Sequence, residues 1–402
     1  MYCCRIACSL QRLDGRSDDS GCSLLAVELI ESDREFDALR AVWEDLQARS
    51  APDNVFLTFD WARSWYRHLR AGRRLALLIL RDETGVRAIV PWCTGHAWGG
   101  RIPFRTIQFL GTGISDRLDL LTDVDPEEVL KATLRYFEEN SIPWDMIDLR
   151  EVPSESPTVH AVGAVAARLG IECEIVDDSK CPYLSIESDW EKFFSSRFGH
   201  ETRRQIRRKG RRIQAEGARF SILEAIPEGS PLLSQLTAVP QDEEYLGHQR
   251  NSIFSSVSKR AFFEEVVARF SERRWLHVGV LEVKNEPAAY RLSFLYHNKY
   301  YDYFTGFHRD LARLSPGSVL LTHIMEDCFR RGLREVDFLR GTESWKSTWT
   351  DRYRRQVRIR LYRPGLRGGL MRLMDGAKQW FERRQAARAA TEAPAPSPEV
   401  QD

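Results

Sequence analysis

"KYYDYFTGFHRDLARLSPGSVLLTHIMEDCFRRGLREVDFLRG", residues 299–341, decides how this chain is read. The first nine residues, 299–307, are aromatic and β-prone and predict a strand. A polar turn leads to Ser315-Pro316-Gly317 and an apolar, amphipathic segment that predicts a helix. Proline at a helix start wastes no amide, and glycine lets a ligand come close to the backbone. Free N–H groups and the helix dipole would then receive a diphosphate; the plainer alternative is that Ser315 only caps the helix. The stretch ends in a second strand with Asp337 at an inward-looking position. A carboxylate buried there without a partner is costly. Arg340, Lys346 or donors from a neighbouring strand would have to meet it, either in a site or in a structural ion-pair corner.

Moving outward, residues 275–284 and 287–297 predict two more strands, joined to 299–307 by short turns in an antiparallel meander. Upstream, "HETRRQIRRKGRRIQAEG" (200–217) predicts a strongly basic helix containing Arg204 and Arg208. It lacks the interleaved aromatics that stack on single strands. A solvated face, a docking face for a phosphorylated substrate and a nucleic-acid contact all remain open for it. "YLGHQR" adds His248 and Arg250 in a region of broken helix. Downstream come Glu343, Trp345 and Lys346, a short helix and a last strand at 354–362. The half before residue 184 follows a similar order: helices, a hairpin at 75–93, strands at 104–111, 116–122 and 144–151, helices at 126–140 and 158–170, and a strand at 171–177. "MIDLRE" echoes "EVDFLRG", which fits a duplicated lobe.

A length of 402 residues suits two ordinary domains rather than one core. The expected division is a disordered leader (1–22), an N-terminal lobe (23–183), a C-terminal lobe (184–365), a basic amphipathic helix (366–388) and a disordered tail (389–402). The net charge of +1 gives no global attraction to nucleic acid or anionic membrane, so any such affinity must be local. Eight cysteines show no C-x-x-C pair, which argues for reduced thiols over zinc or a disulfide framework. Neither a secretory signal nor an apolar run long enough to span a bilayer is recognisable, and a cytoplasmic location is expected.

The order of these features, with "HETRRQIRRKGRRIQAEGARFSI", "HQR", "YYDYFTGF", "SPGSVLL" and "VDFLRGTESWKSTW", resembles the CelD/BcsL-type acetyltransferases. They are a branch of the GNAT (acyl-CoA N-acyltransferase) superfamily related to FemAB-type transferases. "FLTFDWARSWYRHL" and "IQFLGTGISDRLDLL" extend the likeness to roughly residues 25–362. Trp345 stands where tyrosine is common in the family, and "HQR" lacks the Arg-Gly usually found just beyond it. The resemblance implies an α/β (α+β) fold of tandem GNAT-like lobes, each a twisted mixed β-sheet flanked by helices. It implies an acyl-CoA-dependent N-acyltransferase, with acetyl-CoA or another acyl-CoA as co-substrate, no metal, and direct attack in a ternary complex. The acceptor would be a small or glycan-linked amine of cellulose or exopolysaccharide biosynthesis. Carried onto these positions, Ser315, Pro316, Gly317, Ser318, Phe304 and Thr305 would bind the co-substrate. Asp337, Glu343 and His248 would be proton acceptors, and Tyr303, or else Tyr301, a proton donor to the thiolate. Arg250, Arg340, Lys346, Trp345, Arg204 and Arg208 would hold the acceptor. The alternatives are a FemAB-like transferase using aminoacyl-tRNA, with RNA on the basic helix, and a non-catalytic GNAT scaffold. DNA is not expected as a partner; peripheral membrane contact through the C-terminal helix is a further expectation.

Overall fold

A computed structural model describes residues 25–50, 53–99, 102–227, 229–238 and 256–392. The leader, most of the tail, His248 and Arg250 lie outside the described residues. In chain order the elements are β1 (Ala26–Ile30), α1 (Asp33–Ala38), α2 (Arg40–Arg49), α3 (Phe59–Leu69), β2 (Arg74–Leu75), β3 (Leu77–Asp82), β4 (Gly85–Val90), β5 (Trp92–Gly99), β6 (Ile102–Phe109), β7 (Leu121–Thr122), α4 (Pro126–Glu139), β8 (Met146–Pro153), α5 (Pro157–Arg168) and β9 (Glu172–Ser185). They continue with α6 (Trp190–Arg197), α7 (His200–Ala215), β10 (Ala218–Leu223), α8 (Pro231–Ala238), α9 (Val257–Glu272), β11 (Leu276–Val283), β12 (Glu286–Tyr296), β13 (Lys299–Phe307), α10 (Pro316–Arg330), β14 (Glu335–Asp337), α11 (Ser344–Trp349), β15 (Tyr353–Tyr362) and α12 (Leu366–Glu392).

Local chemistry sets many of these boundaries. Ser32 and Glu35 close a reciprocal capping box on α1. Asp125 and Ser156 cap α4 and α5, each ahead of a proline that needs no acceptor. The expected meander is present: β11, β12 and β13 pair antiparallel in succession. Gly279 in β11 is needed where α10 crosses, because a Cβ there would meet Ile324 Cδ1 at 2.5 Å.

A four-stranded sheet, β1-β3-β4-β7, flanks an eleven-stranded one, β10-β11-β12-β13-β14-β9-β15-β8-β6-β5-β2. The larger sheet runs through both halves of the chain because two strands reach across. β9, from the N-terminal half, pairs with β14 at Tyr183–Ser185, and β15, from the C-terminal half, pairs with β8. The segment after 171 was expected to stop near 177; instead β9 continues to Ser185 and joins the two halves. Residues 116–120, read as strand, form a loop in which Leu118 N–H donates to the Glu151 carbonyl at 2.8 Å.

The two larger of three apolar cores among the described residues lie on opposite faces. One holds α3 and α9 together around Trp61, whose ring is 5.1 Å from Phe262 and 5.8 Å from Phe294. The other packs α6, α7 and α10 against β13 and β14 through Tyr300, Ile324 and Val336. Cys93, Cys173, Cys181 and Cys328 are free thiols. Among the described residues, no helix is long and apolar enough to cross a membrane.

Candidate active site

Strands β13 and β14 run parallel, with α10 as the connection between them. They pair over only three rungs, from Lys299↔Glu335 to Tyr301↔Asp337. β13 continues to Phe307 while β14 ends, so a wedge opens with Asp337 at its apex. At the same level β13 carries a bulge, Asp302 and Tyr303 standing opposite Ser293 alone.

The mouth of the wedge is the start of α10. Ser315 is left-handed, with φ +52°, and its side chain makes no capping hydrogen bond, so the capping alternative is not what is found. Pro316 is buried. Among the described residues, the Gly317 and Ser318 N–H groups have no acceptor; the first helical bond is Val319 N–H to Ser315 O at 3.1 Å. A Cβ on Gly317 would meet only the Phe307 ring, at 3.7 Å, so the backbone here is open to an incoming group. These free amides at a helix end fit a diphosphate. Thr305 spends its hydroxyl on Tyr290 O at 3.3 Å, and Phe304 packs on Phe263.

Asp337 is 1% exposed. Its neighbour Val336 faces α10, so Asp337 looks the other way, toward the N-terminal half. The Leu339 N–H donates to Asp337 Oδ1 at 2.8 Å, with Leu339 itself left-handed at φ +56°. Burial pushes its carboxyl up to about 6, opposed by Arg117, by that N–H and by Arg354, whose Nη1 is 3.9 Å from Oδ2.

The expected partners of Asp337 are elsewhere. Arg340 turns to the N-terminal half, with Asp116 at 3.3 Å, Glu151 at 3.1 Å and the Ser115 carbonyl at 2.6 Å. Lys346 is buried and holds its own loop, donating to Arg340 O at 2.7 Å and Leu339 O at 3.4 Å and pairing with Glu343 at 2.9 Å. Neither residue therefore ionises Asp337. Tyr303 donates to the Ile114 carbonyl, which removes it from the proton-donor role expected of it. Trp345 lies flat over Arg291, 4.7 Å from its guanidinium, and Arg291 is buried in an ion pair with Asp302.

Arg117, Glu151, Asp116 and Arg354 were not anticipated. Glu151 is 2% exposed and left-handed at φ +58°. Among the described residues its Oε2 has no hydrogen-bond partner, and burial pushes its carboxyl up to about 7, against the pull of Arg340. Only the echo of "MIDLRE" in "EVDFLRG" hinted at this carboxylate. Arg117 and Asp116 arrive on the 110–120 loop, and the strand-like sequence from 116 on conceals their role.

The basic helix forms a groove of about 240 Å³ lined by His200, Arg203, Arg204, Arg207 and Arg211. Arg204 is on it; Arg208 is not among the lining residues. Among the described residues, Arg204 alone of these guanidiniums has a carboxylate within 4 Å, Glu201 at 3.5 Å. α7 packs against α10, which places the groove on the same side of the sheet as the free amides.

A sequence profile described as an acetyltransferase (GNAT) domain matches residues 200–347, so this stretch is a GNAT-type acetyltransferase domain. The fold is similar to that of FemX (12% identity, TM-score 0.58, 87% of this chain and 99% of that one). It is also similar to L-PGS from Bacillus licheniformis (11% identity, TM-score 0.51, 83% and 95%). A conserved protein of unknown function from Bacteroides thetaiotaomicron is comparable (11% identity, TM-score 0.50, 84% and 100%). No curated protein sequence matches. At these identities the likeness concerns the fold, and the mixed α/β architecture is the one expected.

Proposed function

We propose that the chain is an acyl-CoA-dependent N-acyltransferase of the CelD/BcsL type, with acetyl-CoA as the simplest donor. Its acceptor would be an amine on a small or glycan-linked molecule of cellulose or exopolysaccharide assembly, met in the cytoplasm. The observation that carries the reading is the wedge between β13 and β14, with unsatisfied Gly317 and Ser318 amides at its mouth and Asp337 at its apex. The amides would take the donor's diphosphate, and the part of β13 beyond its pairing with β14 would lie along the acyl arm. The acceptor nitrogen attacks the thioester carbonyl: a C–N bond forms, the C–S bond breaks, and the nitrogen's proton passes to Asp337. Coenzyme A leaves as a thiolate, which takes its proton from water. A carboxyl titrating near 6 is ionised at neutral pH yet basic enough to accept that proton.

The α7 groove would hold an anionic portion of donor or acceptor, through Arg203, Arg204, Arg207 and Arg211. That groove also supports a second reading, a transferase fed by aminoacyl-tRNA, for which the FemX-like fold is the other support. Calorimetry separates them. The first reading expects saturable heat with acetyl-CoA, weakened at least about tenfold by Gly317→Asp, and none with charged tRNA. Binding of charged tRNA without binding of acetyl-CoA would replace it with the second. A chain that binds neither would be a scaffold.

A further inference from the structure

The last helix presents an exposed apolar face. One side of α12 is moored to the sheet. Met371 and Met374 pack on Phe104, Met146 and Tyr362, and Asp375 meets Arg360 and the Tyr362 hydroxyl, both at 3.1 Å. Arg367 pairs with Asp145 at 3.0 Å. At about 100° per residue, Leu366, Leu370, Leu373, Ala377 and Trp380 fall within an arc of about 80° on the other side. Leu366 is 94% exposed, Leu373 73%, Trp380 53% and Leu370 40%, which is half of the large apolar side chains exposed among the described residues. An apolar stripe of that kind on a soluble face marks a contact surface.

Charge selects the partner. From Lys378 to Arg388 the helix has four basic residues, Lys378, Arg383, Arg384 and Arg388, against Glu382, in a chain of net charge +1. The Arg384 guanidinium stands 5.0 Å above the Trp380 ring, so the positive end continues the apolar stripe. Leucines and a tryptophan on one face with arginine and lysine at its end and flanks suit the boundary of an anionic bilayer. The same spacing would allow a two-helix seam with a second copy. However, Gly369 and Gly376 border that seam, and a parallel pairing would bring the two basic ends together.

We infer that α12 is a membrane-surface anchor: it lies along an anionic lipid face with Leu366, Leu370, Leu373 and Trp380 in the headgroup region. This stands apart from the proposed chemistry and survives its failure. The test is co-sedimentation of the full chain with vesicles of phosphatidylcholine alone or of equimolar phosphatidylcholine and phosphatidylglycerol. Binding is expected to the anionic vesicles only. It should weaken when salt is raised from about 0.1 M to about 1 M, which shortens the screening length from about 10 Å to about 3 Å. The double variant Leu373→Glu, Trp380→Ser, at positions 73% and 53% exposed, should lower binding at least about tenfold. Equal binding by the double variant, or no binding to anionic vesicles, overturns the inference. A dimer that the double variant turns into a monomer, without vesicle binding, assigns the face to self-association instead.

Discussion

Asp337 is the residue on which the chemistry rests, and its titration gives the sharpest test. A base must be deprotonated to act, so kcat/KM should rise with pH through about 6 and then level. Asp337→Asn keeps the shape and can still accept the Leu339 N–H, so the fold should persist. Turnover should fall by about 10²-fold or more, and the inflection near pH 6 should vanish. An unchanged profile removes Asp337 from catalysis. Lys346 belongs to the same loop but to a different function. Its ammonium satisfies the Leu339 and Arg340 carbonyls and faces Glu343. Lys346→Met leaves those oxygens unpaired in a buried place. Denaturant unfolding should show a loss of about 1–3 kcal/mol, with any loss of activity following from a displaced Asp337.

At the scale of elements, the start of α10 makes the donor site. Gly317→Asp adds a carboxylate beside the free amides without crowding the fold, since a Cβ there has only the Phe307 ring within 4 Å. Acetyl-CoA affinity should drop at least about tenfold from charge repulsion alone, measured by calorimetry, while Gly317→Ala should stay near the parent. This site was legible because its signals are local. A proline, a glycine and an aromatic strand announce a strand-turn-helix wherever they occur together, and Asp337 betrayed itself by breaking an apolar alternation. The partners of Asp337 were not legible, because they are fixed by contacts across long separations. Arg340 is one of the partners its nearness in sequence offers, yet its fork meets Asp116 and Glu151. Residues 116–122 read as a strand, but left-handed Arg117 and the Leu118 bond to Glu151 make 116–120 a loop delivered into the other half. Propensity cannot register such a tertiary override.

Across the whole molecule, the two halves are bound by exchanged strands and by a buried polar seam. β9 and β15 carry the exchange, and Arg340 with Asp116, Glu151 and Ser115 forms the seam. Separate lobes are expected at 23–183 and 184–365, yet a boundary at 183 falls inside β9. The seam should make stability depend on pH in a direction opposite to that of an ordinary ion pair. Burial pushes the Glu151 carboxyl up to about 7 in the folded chain, from an ordinary value of 4.5. Between those values the folded state binds more protons than the unfolded one, so stability falls as pH rises and then levels above about 7. Asp337, raised to about 6, acts in the same sense over a lower window. Glu151→Gln keeps the side chain's size and its acceptor for Arg340 but cannot ionise. Its stability relative to the parent should therefore climb between about pH 5 and pH 8, by as much as about 3 kcal/mol at about 1.4 kcal/mol per pH unit. Urea unfolding of parent and variant across that range measures it. A difference that stays flat with pH would mean that Glu151 is ionised throughout, held by Arg340 as a plain structural pair, and that the seam adds no proton-linked coupling between the halves.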